Sequence, residues 1–364
     1  MKLARIIGVL ETAAPRGLQE SWDNSGLQIG LPEGGNAEIT GILLCIDVTE
    51  EIIYEAIARG CNLVISHHPL IFKGFKQLTG ANPPQRAAIA AIKKGVAVYS
   101  AHTSLDSAHN GVSWEMARRL GLKVISPLVP TEQSMVKITV TAPRRYYEDV
   151  AMLLSMEENS NLVSFQAESS DLKEEKTNIN DVPSFFIAHE PLTRIEITTV
   201  KHEATRKLSL LENSDFFSKI TVNTQALSDL STENGLGVVA IAEQPFSAST
   251  LRKAMKDAFK LDGFRSNLAA NQDDITIRKI ALCGGAGGEF IRNAIATGAQ
   301  AYITADIRYH DFCDHRNDIL LFDIGHFESE NCAKDIIYRL ITENFPNFAV
   351  YYSETETNPV KYYN

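Results

Sequence analysis

Residues 39–66 read ITGILLCIDVTEEIIYEAIARGCNLVIS, and this stretch decides the fold class. ITGILLCIDV is a continuous apolar run with β-branched residues, the pattern of a strand covered on both faces. EEIIYEAIARG then spaces its apolar residues as a helix does and stops at Gly60. NLVIS (62–66) is a second buried strand. Strand, helix, strand in this order is the repeating unit of a mainly parallel sheet.

The same grammar extends outward. NPPQRAAIAAIKKG reads as a helix, VAVYSAH (96–102) as a third strand and GVSWEMARRLGL as a further helix. The amino-terminal MKLARIIGVLETAAP has charges at both ends of a short apolar stretch and reads as an amphipathic helix rather than a signal peptide. After residue 275 the alternation returns: ITIRKIALC (275–283), GGEFIRNAIATG, AQAYITAD, DILLFDI (318–324), a long helix in ESENCAKDIIYRLITENF and a closing strand, FAVYYSE (348–354). The two β/α halves are either an ancient duplication or two pieces of one sheet.

The middle differs in kind. SMVKITVTAP and TRIEITTVKHE (193–203) alternate apolar and polar residues, as strands solvated on one face do. Between them, RRYYEDVAMLLSMEEN reads as a helix, LVSFQAES as a strand and 169–184 as a polar loop; RKLSLLENSDFF follows as a helix. The fold class is therefore α/β, with two β/α halves (1–127 and 233–364) and an inserted α+β, ferredoxin-like module at 128–232.

The charge is −10, from 35 basic and 45 acidic residues, which argues against nucleic acid as a main partner. Five widely spaced cysteines read as reduced thiols. No run approaches the roughly 20 apolar residues of a membrane span, so the chain reads as soluble and cytoplasmic.

The chemistry-bearing residues collect where strands end, the rim on which open β/α sheets bind ligands. Ser66-His67-His68-Pro69 follows the second strand, and His102-Thr103-Ser104-Leu105-Asp106 follows the third. The second half adds Asp306, His310, Asp323, His326, Glu328 and Glu330. His326 and Glu330 are four apart and share a helical face. Successive strand side chains point to opposite sides, so His67 and His68 do not readily chelate one ion. Two ions flanking a carboxylate accommodate them, and imidazole with carboxylate suits Zn, Fe or Mn. His102 and His310 are the candidate acid/base groups. Gly284, Gly285, Gly287 and Gly288 either cradle a phosphate or make a tight turn with close packing. Trp22-Asp23-Asn24 reads as a turn near the rim.

Together SWDNSGLQIG (21–30), CIDVT (45–49), ISHHPLIF (65–72), AHTSLDSAHNGVS (101–113), CGGAGG (283–288), AYITADIRYHDF (301–312) and DIGHFESE (323–330) resemble the Nif-three-like family, also labelled GTP cyclohydrolase I type 2 homologue. The resemblance implies a two-metal centre with His67, His68, Asp106, His326 and Glu330 as ligands. It pairs His68 with Asp106 on one ion and His67 with His326 on the other, with Glu330 bridging. It also implies that the insertion is a PII-like or CutA-like module and that the chain forms trimer-based toroidal hexamers. Ala305 and Phe327 depart from the family pattern without removing an implied ligand. The function implied is a metal-dependent hydrolase in which metal-activated water attacks a small anionic or nucleotide substrate, GTP ring opening being one version. The alternative is a metal-binding hexameric regulatory or scaffold protein whose inserted module binds a ligand or partner.

Overall fold

The computed structural model describes residues 1–155, 161–166, 192–268 and 274–362. The chain divides into two compact units, Met1–Thr131 with Ser231–Asn364 and Glu132–Leu230. The polar stretch 169–184 lies outside the described residues.

The first half of the larger unit begins with helix α1 (Leu3–Ala13), which buries Leu3, Ile6 and Leu10 at helical spacing. Strands β1 (Gly26–Ile29), β2 (Ile42–Cys45), β3 (Leu63–Ser66) and β4 (Ala97–Ser100) follow, with α2 (Glu50–Ala58) and α3 (Pro83–Lys94) between the last three. Thr49 caps α2 by accepting from the Ile52 N–H, and Gly95 ends α3 in the left-handed region. Helices α4 (His102–Ser107) and α5 (Val112–Arg119) complete this half. Every residue of β2, β3 and β4 is buried, so these strands could not have shown a polar face in the sequence.

The smaller unit draws on β5 (Leu122–Pro143), α6 (Tyr147–Ser155), β6 (Asn161–Gln166), β7 (Leu192–Val200), α7 (Lys201–Glu212) and β8 (Thr221–Ser247). This βαββαβ sequence has strand order β6-β7-β5-β8, with β7 antiparallel to both β5 and β6. Ile138, Val140, Ile195 and Ile197 point to a core shared with Val150, Leu154 and Leu211 of the helices. Helix α7 starts at Lys201, so the alternating strand is shorter than 193–203.

The second half of the larger unit contains α8 (Ala248–Phe259), β9 (Arg265–Ser266), β10 (Thr276–Ala286), α9 (Ile291–Ala296), β11 (Ala301–Ala305), α10 (Tyr309–Asp314), β12 (Leu320–Asp323), α11 (His326–Glu330), α12 (Ala333–Asn344) and β13 (Val350–Tyr352). β10, β11 and β12 are parallel, with β8 and β9 antiparallel at either side. The closing strand leaves this sheet and pairs in parallel with β2, giving the first sheet the order β1-β4-β3-β2-β13. The two halves are thus two sheets sharing one core: Leu44, Ile65 and Tyr99 belong to the same buried cluster as Ile280, Ile303 and Phe322. Cys45, Cys61, Cys283 and Cys332 are buried. Among the described residues, no helix is long and apolar enough to cross a membrane.

Glu115 ties α5 to α12. Its carboxylate accepts from Arg118 Nε (2.8 Å), Arg119 Nε (3.3 Å) and Arg339 Nη2 of α12 (2.8 Å). Burial works against its charge, but the Arg118 and Arg339 hydrogen bonds outweigh that and hold its pKa at about 2, against an ordinary 4.5. Because the folded pKa is depressed, this stabilisation is present above pH 4.5 and is lost as pH falls through about 2. Glu115→Gln should cost about 1–3 kcal/mol at neutral pH and flatten the acid limb of a stability–pH curve measured by urea unfolding.

Candidate metal centre

His67 and His68 follow directly on β3 but are no longer part of it. Their N–H groups donate to the Cys45 (3.2 Å) and Ile46 (2.9 Å) carbonyls, and Ser66 Oγ donates to the His68 carbonyl (2.7 Å). Both lie beyond the last residue of the strand, so strand alternation does not set their directions, and the two rings stand 5.2 Å apart.

After β4 the chain turns through His102 at φ +29° into α4, which places Asp106 one turn later. After β12, Gly325 at φ +90° admits the short helix α11, which carries His326 and Glu330 on one face. Glu330 is buried and is the meeting point. His68 Nε2 lies 2.8 Å and His326 Nε2 3.1 Å from its Oε2, and His67 Nε2 is 3.6 Å from its Oε1. His67 Nε2 is also 3.6 Å from Asp106 Oδ1. One ligand-type atom from each of His67, His68 and Glu330 falls within 4.8 Å of the others.

All five expected ligands therefore converge at this centre. His67 Nε2 stands between Asp106 Oδ1 and Glu330 Oε1, while His68 and His326 approach Glu330 Oε2. Fully buried His67 faces inward to α4, whereas His68 faces α11.

Three polar atoms at the centre test its fit to a metal. Both ring nitrogens of His67 and Oδ1 of Asp106 are buried without a hydrogen-bond partner among the described residues. Buried polar atoms in this state are costly unless something else satisfies them. Imidazole and carboxylate donors so arranged fit a divalent cation.

A carboxylate holds three of the surrounding histidines in place. Asp47 Oδ1 is 2.8 Å from His68 Nδ1, Asp306 Oδ2 is 2.6 Å from His326 Nδ1, and Asp23 Oδ1 is 2.6 Å from His102 Nδ1. Such outer carboxylates fix ring orientation at metal sites. Burial disfavours the charged form of His68, but hydrogen bonds to Asp47 and Glu330 raise its pKa to about 10. His326 rises to about 9 despite burial, through Glu330 and Asp306. Burial drives Asp106 up, against the pull of His67. Glu330, although buried, is held well below the carboxylate range by its three histidines. A carboxylate kept charged inside the protein is a ready cation ligand.

The glycine motif serves this carboxylate. A Cβ on Gly285 would lie 2.1 Å from Glu330 Oε1, and on Gly284 2.6 Å from Val112 Cγ1. The N–H groups of Gly284 and Gly285 donate to Ser113 and Ser329, so these two do not serve as a phosphate cradle. His102 is adjacent, its ring 5.6 Å from His67 and 5.7 Å from His68. His310 is not brought to the centre: it is exposed on α10, its ring 5.5 Å from Tyr309. Asp323 accepts from Ile307 N–H (2.9 Å) and pairs with Arg265, a structural role. Asp47, two residues beyond β2 on the same rim, is a site residue that the sequence reading does not single out. Beside His68 and His326 opens a cavity of about 360 Å³.

Two outcomes follow. Asp47→Asn and Asp306→Asn should each weaken divalent-metal affinity by about 10–100-fold in chelator competition, with the fold retained. Gly285→Ala should displace Glu330 and weaken metal uptake at least as much, while Gly298→Ala, at an open turn, should leave it unchanged.

A family model described as Duf34/NIF3 (NGG1p interacting factor 3) matches residues 1–359. A Staphylococcus epidermidis protein named "GTP cyclohydrolase 1 type 2 homolog" is 28% identical, with 100% of both chains covered. A Bacillus subtilis protein of the same name is 29% identical, covering 98% of this chain and 97% of its own. The crystal structure of Staphylococcus aureus protein SA1388 matches at TM-score 0.81 and 25% identity, covering 100% of this chain and 99% of that one. A Bacillus cereus protein related to NIF3 has the same fold, at TM-score 0.79 and 24% identity over 100% of this chain and 99% of that one.

Proposed function

The chain belongs to the Duf34/NIF3 family, and from that premise we propose that it is a hydrolase dependent on two divalent ions, Zn, Fe or Mn. The observation that carries this reading is the pair of unpartnered buried atoms His67 Nε2 and Asp106 Oδ1, 3.6 Å apart, beside a carboxylate that two further imidazoles approach. His67, His68, Asp106 and His326 would hold the two ions, with Glu330 between them. Bound there, such ions would supply Lewis acidity that polarises a substrate oxygen and lowers the pKa of water.

The chain's own groups supply the rest. Asp47 and Asp306 keep the outer imidazoles aimed at Glu330. Asp23 accepts from His102 and from Thr103 Oγ1 (2.5 Å), which leaves His102 Nε2 to take or give a proton. The substrate in this reading is small and nucleotide-like or anionic; the name carried by the relatives makes GTP the first to try.

A trimer-based hexamer in the cytoplasm and a PII-like character for the inserted unit complete the proposal. The βαββαβ order of that unit, with strands β6-β7-β5-β8, supports the second. The same order favours an alternative, a metal-binding regulatory assembly whose inserted unit takes the ligand.

Metal-loaded protein, assayed against GTP, other nucleotides, phosphoesters and amides, should turn over at least one of them. His68→Ala and Glu330→Ala should abolish that turnover without changing the oligomer seen in sedimentation. Absence of turnover, together with a tight ligand for the inserted unit, would favour the regulatory assembly.

A further inference from the structure

The cavity beside the centre has its own chemistry. Phe264, Phe327 and Tyr362 line it with rings, and His68 and His326 form the side towards Glu330. At about 360 Å³ it is large enough for a single planar group and small for a drug-sized ligand.

Its polar lining is rich in acceptors. Asp47 uses Oδ1 on His68, Asp306 uses Oδ2 on His326, and Glu328 uses Oε1 on Asn358 Nδ2 (3.0 Å). The second oxygen of each carboxylate makes no hydrogen bond among the described residues. Donors are scarce. Arg265, the permanent cation among the described lining residues, pairs with Asp323 through Nη2 and lies over the Phe312 ring. Asn358 is occupied with Glu328. An anionic group placed here would meet four carboxylates, Asp47, Asp306, Asp323 and Glu328, against the single guanidinium of Arg265, which pairs with Asp323. A group with N–H donors would satisfy oxygens that water otherwise must.

The backbone is shaped for this arrangement. A Cβ on Gly325 would fall 2.2 Å from Glu328 Oε2 and 2.8 Å from the Tyr362 hydroxyl. Only glycine lets the acidic wall and the tyrosine approach the turn that carries His326.

We infer that this cavity is a substrate-recognition subsite for a planar group bearing several N–H donors, such as an amino-substituted heterocycle, held between Phe264, Phe327 and Tyr362 with Glu328 as the selecting acceptor. The inference rests on the hydrolase reading, because the cavity is a subsite only if the reacting atom lies at the neighbouring centre. Any anionic part of the substrate then belongs at the cations and not in the cavity.

Two probes of matched shape test it: 2,4-diaminopyrimidine and 2,4-dimethylpyrimidine, titrated calorimetrically into full-length protein whose metal content is measured on the same sample. The diamino compound should bind about tenfold or more tightly than the dimethyl one, since the second leaves the carboxylates unpaired. Glu328→Ala should reduce that preference at least about threefold with metal content intact, and Phe327→Ala should weaken both compounds together. Equal binding of the two, binding of neither to metal-replete protein, or a preference untouched by Glu328→Ala would overturn the subsite. A wild-type sample that takes up no metal would overturn the hydrolase reading instead, which separates the two failures.

Discussion

The buried carboxylate of Glu330 is the constraint on which the rest of the centre depends. It is 5% exposed, backed against Gly285 and approached by imidazoles from two directions. A charge there is untenable in isolation, since desolvation alone would neutralise it. His67, His68 and His326 keep it ionised. To reach it, the chain must deliver residues from the end of β3, from α4 and from α11, which draws the two β/α halves together over one core. Gly284, Gly285 and Gly325 then follow as necessities of packing, each occupying a place where a side chain would strike Val112, Glu330 or Glu328.

The outer carboxylates extend the same logic. His68, His326 and His102 each have an aspartate on Nδ1, whereas His67, the most buried, has none. The partly buried imidazoles are therefore aimed by hydrogen bonds and the fully buried one by packing. Asp306 does this from a left-handed backbone conformation, φ +55°, directly beyond β11. A non-glycine residue held there is consistent with the aspartate side chain being needed at that place.

Much of this was legible in the sequence because strand ends are marked by where apolar runs stop. HHP after NLVIS, the aspartate four residues after His102, and His326 with Glu330 four apart all lie where the pattern puts them. What failed was local. Treating His67 and His68 as strand residues implied opposite directions, but the strand ends at Ser66 and both rings approach one carboxylate. The glycine motif could be read two ways, because nothing in the sequence shows that Glu330 will occupy the space next to Gly285. The return of β13 to β2 was hidden too, since a closing strand carries no mark of its partner. Asp47 was within reach of the same strand-end reasoning that found the histidines.

Anomalous diffraction at the metal absorption edges of metal-loaded crystals tests the central claim most directly. Two peaks should flank Glu330, both within coordination distance of side chains from the set His67, His68, Asp106 and His326. A single peak, or peaks that leave Glu330 uncoordinated, would contradict the account.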